Sequence, residues 1–312
     1  MKTRRIQRLL ITGASGLLGL NVAMQTAATY EVVGVVNMHP YQSHLFKVLQ
    51  RDLLRSQAIE RLLDEVQPDA ILNCAALADV DSCERQPELA LRMNVELPAR
   101  LAAAAVKNGI RFVHISSDTI FDGKKGNYGE EDEPHPLSIY AKSKLQGERA
   151  VLEAMPKAIV ARTNLIGWSR TEKRSLAEFF FYNLQAGLRV NGFKDVFFCP
   201  LLATDLAFIL VKLLESSLSG LFHVFSCDAM SKIDFGVLIA RRFGFDEKLI
   251  IPLSVQESGL TALRSQNLTM NTDKLQRIFD MPLPTVVDAI EGFYVQYVQG
   301  YSLKIKQDVI AV

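Results

Sequence analysis

Apolar residues fall in short continuous blocks along the first half of the chain, at 9–12, 32–36, 70–74, 112–116 and 158–162. Between them, near 16–28, 58–66, 89–107 and 138–153, apolar positions recur at helical spacing. Blocks of this kind suit strands covered on both faces, and their alternation with helices predicts an α/β fold built on a doubly wound parallel sheet. Turn-forming residues at Gln67-Pro68-Asp69 and at Gly109-Ile110 punctuate it. Beyond Thr163 the pattern loosens into helical stretches at 176–186 and 203–215, a strand-like block at 221–225, and further helical stretches at 231–243 and 284–298. The 203–215 helix and the 221–225 strand are expected to rejoin the sheet, so 1–166 and 195–227 form one domain. The segments 167–194 and 228–312 form a smaller, mostly helical one. The tail after Tyr301 is expected to be partly frayed.

Composition narrows the function classes. At 312 residues and 49% hydrophobic, the chain can bury a substantial core. Its net charge of +1, from 35 Lys and Arg against 34 Asp and Glu, leaves no basic footprint for nucleic acid or an anionic membrane. Any anionic ligand must be met locally. The start Met1-Lys2-Thr3-Arg4-Arg5 is basic like a signal peptide, but the apolar run behind it is cut short at Thr12-Gly13. No apolar stretch approaches the about 20 residues that span a bilayer. The four cysteines, Cys74, Cys83, Cys199 and Cys227, lack the paired spacing of a metal site and are too few to staple a chain of this length. A cytoplasmic protein with free thiols is expected.

Two local patterns carry the chemistry. The first is Gly13-Ala14-Ser15-Gly16-Leu17-Leu18-Gly19, which places three glycines between the first strand and the first helix. Glycine there allows a tight turn and close approach of backbone to a pyrophosphate, while the helix N-terminus offers free N–H groups. A Rossmann-type, dinucleotide-binding first domain follows, although the spacing is G-x-x-G-x-x-G rather than G-x-G-x-x-G. A turn that merely needs glycine is the plainer alternative. After the second strand, Asn37-Met38-His39 supplies no carboxylate for a ribose hydroxyl, which tilts the cofactor toward NADP(H) over NAD(H). His39 then faces a ribose phosphate or simply solvent. Asp52, beside Leu53, accepts a bond from an adenine amino group or caps the next helix.

The second pattern is Tyr140 and Lys144, one helical turn apart, downstream of a strand ending in Ser116-Ser117-Asp118. The i,i+4 spacing puts both side chains on one helix face, where an ammonium is expected to favour the phenolate. Such a phenol can exchange a proton with a carbonyl or alcohol. Ser117 would hold the substrate oxygen, unless it only caps the strand. His114 reads as a packed core histidine. The acidic run 130–133 reads as a solvated loop.

With these residues in view, the chain resembles the extended short-chain dehydrogenase/reductase family, and within it the dTDP-4-dehydrorhamnose reductase group. The marks are the glycine turn, Asn73-Cys74-Ala75-Ala76, Asn94 in Met93-Asn94-Val95, the run from Ser116 to Gly123, and the run from Pro136 to Glu148. Cys199-Pro200-Leu201, Thr204-Asp205-Leu206-Ala207 and the segment from Arg264 to Leu275 extend the resemblance into the second half. It implies catalysis by Ser117, Tyr140 and Lys144. It implies a cofactor channel drawn from Gly13, Ser15, Gly16, Leu17, Leu18, Gly19, Asn37, His39, Asp52, Leu53, Asn73, Ala75, Ala76 and Asn94, with Tyr140 and Lys144 touching the nicotinamide ribose. A nucleotide-sugar substrate would meet Val80, Asp81, Ser117, Asp118, Asn164 and Arg264. The Arg264 fork can meet phosphate oxygens bidentately, or it is a surface loop arginine.

Three departures fall on the substrate side: Ala78 for a threonine, Leu165 for a tryptophan and Ser265 for a proline. The implied activity is NAD(P)H-dependent reduction of the 4-keto group of a nucleotide-linked deoxysugar. A second copy of the chain is a candidate partner, and no metal is implied. The alternatives are a cofactor-binding regulatory subunit resembling the beta subunit of methionine adenosyltransferase, and a nucleotide-sugar epimerase or dehydratase.

Overall fold

A computed structural model describes residues 6–260 and 262–311; the basic start at 1–5 lies outside the described residues. Seven strands form one sheet: β1 (Arg8–Thr12), β2 (Glu31–Val36), β3 (Lys47–Gln50), β4 (Ala70–Asn73), β5 (Arg111–Ser117), β6 (Ile159–Thr163) and β7 (Gly220–Val224). Their spatial order is β7-β6-β5-β4-β1-β2-β3, parallel throughout. The chain runs outward from β1 to β3, then returns to lay β4 on the other side of β1. That reversal opens a crevice beyond the carboxyl ends of β1 and β4, where ligands of such sheets bind.

Alternation along each strand feeds two cores. Leu9 and Ile11 point into a cluster with α1 (Leu17–Thr26) and α5 (Ala203–Glu215), through Leu20, Val22, Leu206 and Leu210. Leu10, Val33 and Ile71 point the other way, onto α2 (Ala58–Val66), α3 (Leu97–Lys107) and the far turn of α4 (Ile139–Ala154). The expected return of 203–215 and 221–225 to the sheet is observed, since Gly220–Val224 pairs with β6.

Three features depart from the sequence expectation. The 89–107 helix is broken into Pro87–Leu91, a wide π turn at Arg92–Glu96, and α3. Leu97 N–H reaches back to the Arg92 carbonyl, and Pro98, with no N–H to give, follows at once. A short helix at Val80–Arg85, capped by the Asp79 carboxylate, had no periodic signal. The tail is not frayed. Tyr301–Gln307 is helical with Ile305 buried, Tyr301 Oη donates to Asn21 Oδ1 at 3.0 Å, and Val309–Ala311 pairs antiparallel with Tyr41–Ser43.

The second half contributes helices Leu176–Gln185, Lys232–Phe243 and Val286–Val298 and a parallel pair, Val190–Phe193 with Ile250–Leu253. Trp168 stacks on Phe293 at 3.8 Å and donates its indole N–H to the Phe293 carbonyl, in an aromatic group continuous with the core beneath β1. Among the described residues no helix is long and apolar enough to cross a membrane.

Candidate active site

The glycine turn is made by backbone contacts that exclude side chains. Gly13 has φ +67°, and a Cβ there would lie 2.7 Å from the Cys74 and Ala75 backbone. A Cβ on Gly19 would lie 2.4 Å from the Gly13 carbonyl oxygen. The turn therefore sits directly against the segment leaving β4, and α1 packs directly on the turn. Gly16, the N-cap, has no side chain to occupy the first-turn N–H groups, and no acidic residue stands in that turn. Half-buried Ser15, Gly16 and Leu17 line its mouth, while Leu18 and Gly19 turn inward. Such a cradle fits the pyrophosphate of a dinucleotide, because backbone N–H groups and the helix dipole both favour an anion.

A buried chain of hydrogen bonds fixes the strands beneath. Thr12 Oγ1 donates to Asn73 Oδ1 at 2.5 Å, and Asn73 Nδ2 donates to His114 Nδ1 at 3.0 Å. Three adjacent strands are pinned at one level. His114 is fully buried and held neutral, its pKa driven well below the usual value by burial and by the nearby Lys144 charge. Asn94 ties together the next layer out. Its amide donates to the Leu77 carbonyl and to Ser143 Oγ, its oxygen accepts from Leu77 N–H, and Ser143 Oγ donates to the Tyr140 carbonyl. Gly147 makes this packing possible, since a Cβ there would run into the Asn94 carbonyl. The loop carrying Ala75 and Ala76 is thereby tied to the Tyr140 helix.

At the chemical end, Ser138 caps α4 by accepting the Ala141 N–H, and the helix presents Tyr140 and Lys144 toward the end of β5. Lys144 is 2% exposed, and its ammonium donates to the Ile115 carbonyl at 2.6 Å. Burial lowers its pKa to about 8, with Glu148, Cys74 and Cys83 acting to raise it. The phenol does not behave as the spacing suggests. Burial pushes Tyr140 up to about 12, the Ser117 hydroxyl pulls it back, and the Asp118 charge pushes it further. The expected lowering by Lys144 is not found. Sharing a helix face is not contact, and the lysine's ammonium is engaged by the Ile115 carbonyl of the sheet.

Ser117 Oγ donates to Asp118 Oδ1 at 3.0 Å, and Asn164 Nδ2 donates to Asp118 Oδ2 at 2.6 Å. Asp118 is 1% exposed; burial raises its pKa, and the Lys232 charge counters that. The other sequence-selected residues gather at a corner beyond β4. Asp81, next to half-buried Val80, accepts from Arg264 Nη2 at 3.3 Å and from Ala262 N–H at 3.3 Å. Arg264 Nη1 is buried with no hydrogen-bond partner. Ser265 donates to the Phe121 carbonyl, Leu165 forms a short parallel pairing with Leu201, and Ala78 is exposed.

Beyond the ends of β2 and β3, Asn37 and Asp52 line one open pocket. Asp52 caps the turn after β3, accepting from Leu54 N–H at 3.1 Å; Leu53 is core; His39 is exposed on its loop. Two features escaped sequence reading. Lys232 lies in the second half, near Asp118 and Arg264, and no local motif flags it. Glu148, one turn beyond Lys144, forms a buried ion pair with Arg162 at 2.8 Å, backed by His223. The i,i+4 register with Lys144 was its available signal.

Residues 7–298 match the family described as the RmlD substrate binding domain. The probable low-salt glycan biosynthesis reductase Agl14 of Haloferax volcanii is 34% identical, over 92% of this chain and 98% of its own. Methionine adenosyltransferase 2 subunit beta of Danio rerio is 32% identical over 86% and 84%. The dTDP-4-dehydrorhamnose reductase of Mycobacterium tuberculosis is 32% identical over 84% of each. Among solved structures, a dTDP-4-dehydrorhamnose reductase of Clostridium acetobutylicum superposes with a TM-score of 0.81 at 29% identity, covering 94% of this chain and all of that one. The reductase of Bacillus anthracis in complex with NADP superposes with 0.84 at 24% identity, also over 94% of this chain and all of its own. The glycine cradle and the Ser117, Tyr140 and Lys144 cluster thus sit in a chain that belongs to the RmlD substrate binding domain family, an NAD(P)-dependent oxidoreductase of the extended short-chain dehydrogenase/reductase type.

Proposed function

We propose that this protein reduces the 4-keto group of a nucleotide-linked deoxysugar, with NADP(H) favoured over NAD(H). The observation that carries the reading is one continuous run of contacts. Gly13 abuts Cys74, the Lys144 charge acts on Cys74, Lys144 donates to Ile115, and Ser117 acts on the Tyr140 phenol. These links support reading the cradle and the proton donor as parts of one site. The turn from Gly13 to Gly19 would hold the pyrophosphate, Asn73, Ala75 and Ala76 would border the channel, and Lys144 would bind the nicotinamide ribose. A bound reduced nicotinamide supplies the hydride to the carbonyl carbon.

Tyr140 gives its proton to the carbonyl oxygen and is reprotonated from solvent. Its raised pKa keeps it protonated near neutral pH, as reduction requires. Ser117 Oγ orients that oxygen. Arg264, with an unused buried N–H group, is suited to the substrate phosphates, and Val80 and Asp81 border the same corner.

A second reading is a cofactor-binding regulatory subunit, which the 32% identity to methionine adenosyltransferase 2 subunit beta favours. The test is a reduced-cofactor oxidation screen over nucleotide-linked keto-sugars. Stoichiometric oxidation supports the reductase. Sugar conversion without net oxidation identifies an epimerase or dehydratase, and cofactor binding with no turnover and co-purification with a larger enzyme identifies the subunit.

A further inference from the structure

Two buried cations beside the catalytic helix, Lys144 and Arg162, share one buried carboxylate. Glu148, on α4 one turn beyond Lys144, presents both oxygens to Arg162 on β6. Arg162 Nε donates to Oε1 at 2.9 Å and Nη2 donates to Oε2 at 2.8 Å. The rest of the fork is also engaged. Arg162 Nη1 can only donate, so His223 Nε2 accepts it at 3.3 Å, and His223 Nδ1 donates to the Asn271 carbonyl at 3.2 Å. Burial pushes His223 down to about 3, which keeps the ring neutral in that tautomer. The carboxylate is thereby fixed in place, on a helix that Gly147 allows to lie against the Asn94 carbonyl.

Lys144 makes no ion pair with a described carboxylate; its ammonium donates to the neutral Ile115 carbonyl. The other titratable groups around it are uncharged near neutral pH. Burial pushes Cys74, just past β4, up to about 12 and Cys83, on the Val80–Arg85 helix, up to about 11. Tyr140 stands at about 12, and His114 on β5 is held neutral. Among the described residues, Glu148 is thus the only formal negative charge acting on the ammonium near neutral pH. Without it, Lys144 and Arg162 would be two buried like charges with no carboxylate to offset them.

We propose that Glu148 is a positioning residue for the proton-transfer unit: clamped by Arg162, its carboxylate keeps the buried Lys144 side chain an ammonium, with N–H groups for both the Ile115 carbonyl and the cofactor. It rests on the reading of Lys144 as the ligand of the nicotinamide ribose. An ammonium has three N–H groups, so Ile115 leaves two for that ribose, and a charged donor is the stronger one.

The test reads the ionisation of Lys144 itself, by NMR titration of the protein isotopically labelled at the lysine ε carbons. The Lys144 resonance is assigned by its loss in Lys144→Arg. The parent midpoint is expected at about 8. Glu148→Gln combined with Arg162→Met replaces both partners by neutral side chains of similar size and strands no buried charge. In this double variant the midpoint is expected to fall by about one pH unit. Glu148→Gln alone is expected to lower it further, because the Arg162 charge then stands unopposed; if this single variant does not fold, the double variant decides. Arg162→Lys distorts the clamp but keeps both charges, and is expected to leave the midpoint in place. An unmoved midpoint in the double variant overturns the proposal. So does an equal fall in Arg162→Lys, which would mark a role in packing only. If the protein reduces a keto-sugar, the high-pH decline of kcat/KM is expected to move down with the midpoint. The NMR readout needs neither cofactor nor sugar, so failure here is separable from failure of the proposed reduction.

Discussion

The glycine turn and the Asp81–Arg264 corner lie beyond the same sheet edge but are held by different means. At the turn, positions 13, 16 and 19 are close in sequence, and at Gly13 and Gly19 backbone presses on backbone so tightly that a single methyl group has no room. At the corner, the contact spans 183 residues and consists of side chains at 3.3 Å, with one guanidinium N–H left unused. A cradle built of backbone leaves little room for substitution at Gly13 and Gly19. A side-chain corner can be rebuilt one residue at a time, and there the chain departs from its resemblance, at Ala78, Leu165 and Ser265. The glycine turn is thus the sterically fixed side of this region and the Asp81–Arg264 corner the adjustable side.

Mutations can break that contrast where the walls meet. Tyr140→Phe removes the proton donor while leaving both walls intact, and turnover is expected to fall about a thousandfold. Dinucleotide affinity, measured by titration, should stay within a small factor. Near-normal turnover would remove Tyr140 from the reaction. Gly19→Ala attacks the backbone wall alone. Its methyl group must displace the Gly13 carbonyl, and an affinity loss on the order of a hundredfold is expected, with a fall in Tm from an overpacking cost of about 1–3 kcal/mol. Unchanged affinity and Tm would show that the turn relaxes freely.

Arg264→Ala attacks the other wall. KM for the nucleotide-sugar is expected to rise by roughly tenfold or more, the worth of a charged hydrogen bond, while cofactor affinity holds. A loss of cofactor affinity instead would merge the two walls into one site. The smallest effect is a pH dependence at the seam. With Lys144 near 8, its ammonium is lost as pH rises through that value, so kcat/KM for reduction should decline above about pH 8. The folding term has the opposite sign. A lysine depressed from its ordinary 10.5 binds fewer protons folded than unfolded, so its contribution to stability rises with pH between about 8 and 10.5. A flat rate profile from pH 7 to 9 would detach Lys144 from the cofactor.

Much of the sheet, the glycine turn and the Tyr140 helix was legible in the chain because its signals are local. Strand blocks buried on both faces, Gly13-Ala14-Ser15-Gly16, and Ser138 three residues before the Ala141 N–H it caps all act within a few residues. The π turn was hidden because Pro98 and the pressure of Gly147 on Asn94 act together across about 50 residues. The tail helix was hidden because Ile305 is anchored by packing against elements far away in the sequence.

By itself the sequence determined the parallel sheet, the glycine cradle and the placing of Tyr140 and Lys144 on one helix face, since period, steric freedom and helical spacing are properties of neighbouring residues. Tertiary structure alone decided that Lys144 reaches the Ile115 carbonyl instead of the phenol, that burial sets Tyr140 near 12 and Lys144 near 8, and that Asp81 meets Arg264. Desolvation and long-range pairing depend on what the rest of the chain packs around a group, and no local stretch of sequence carries that information.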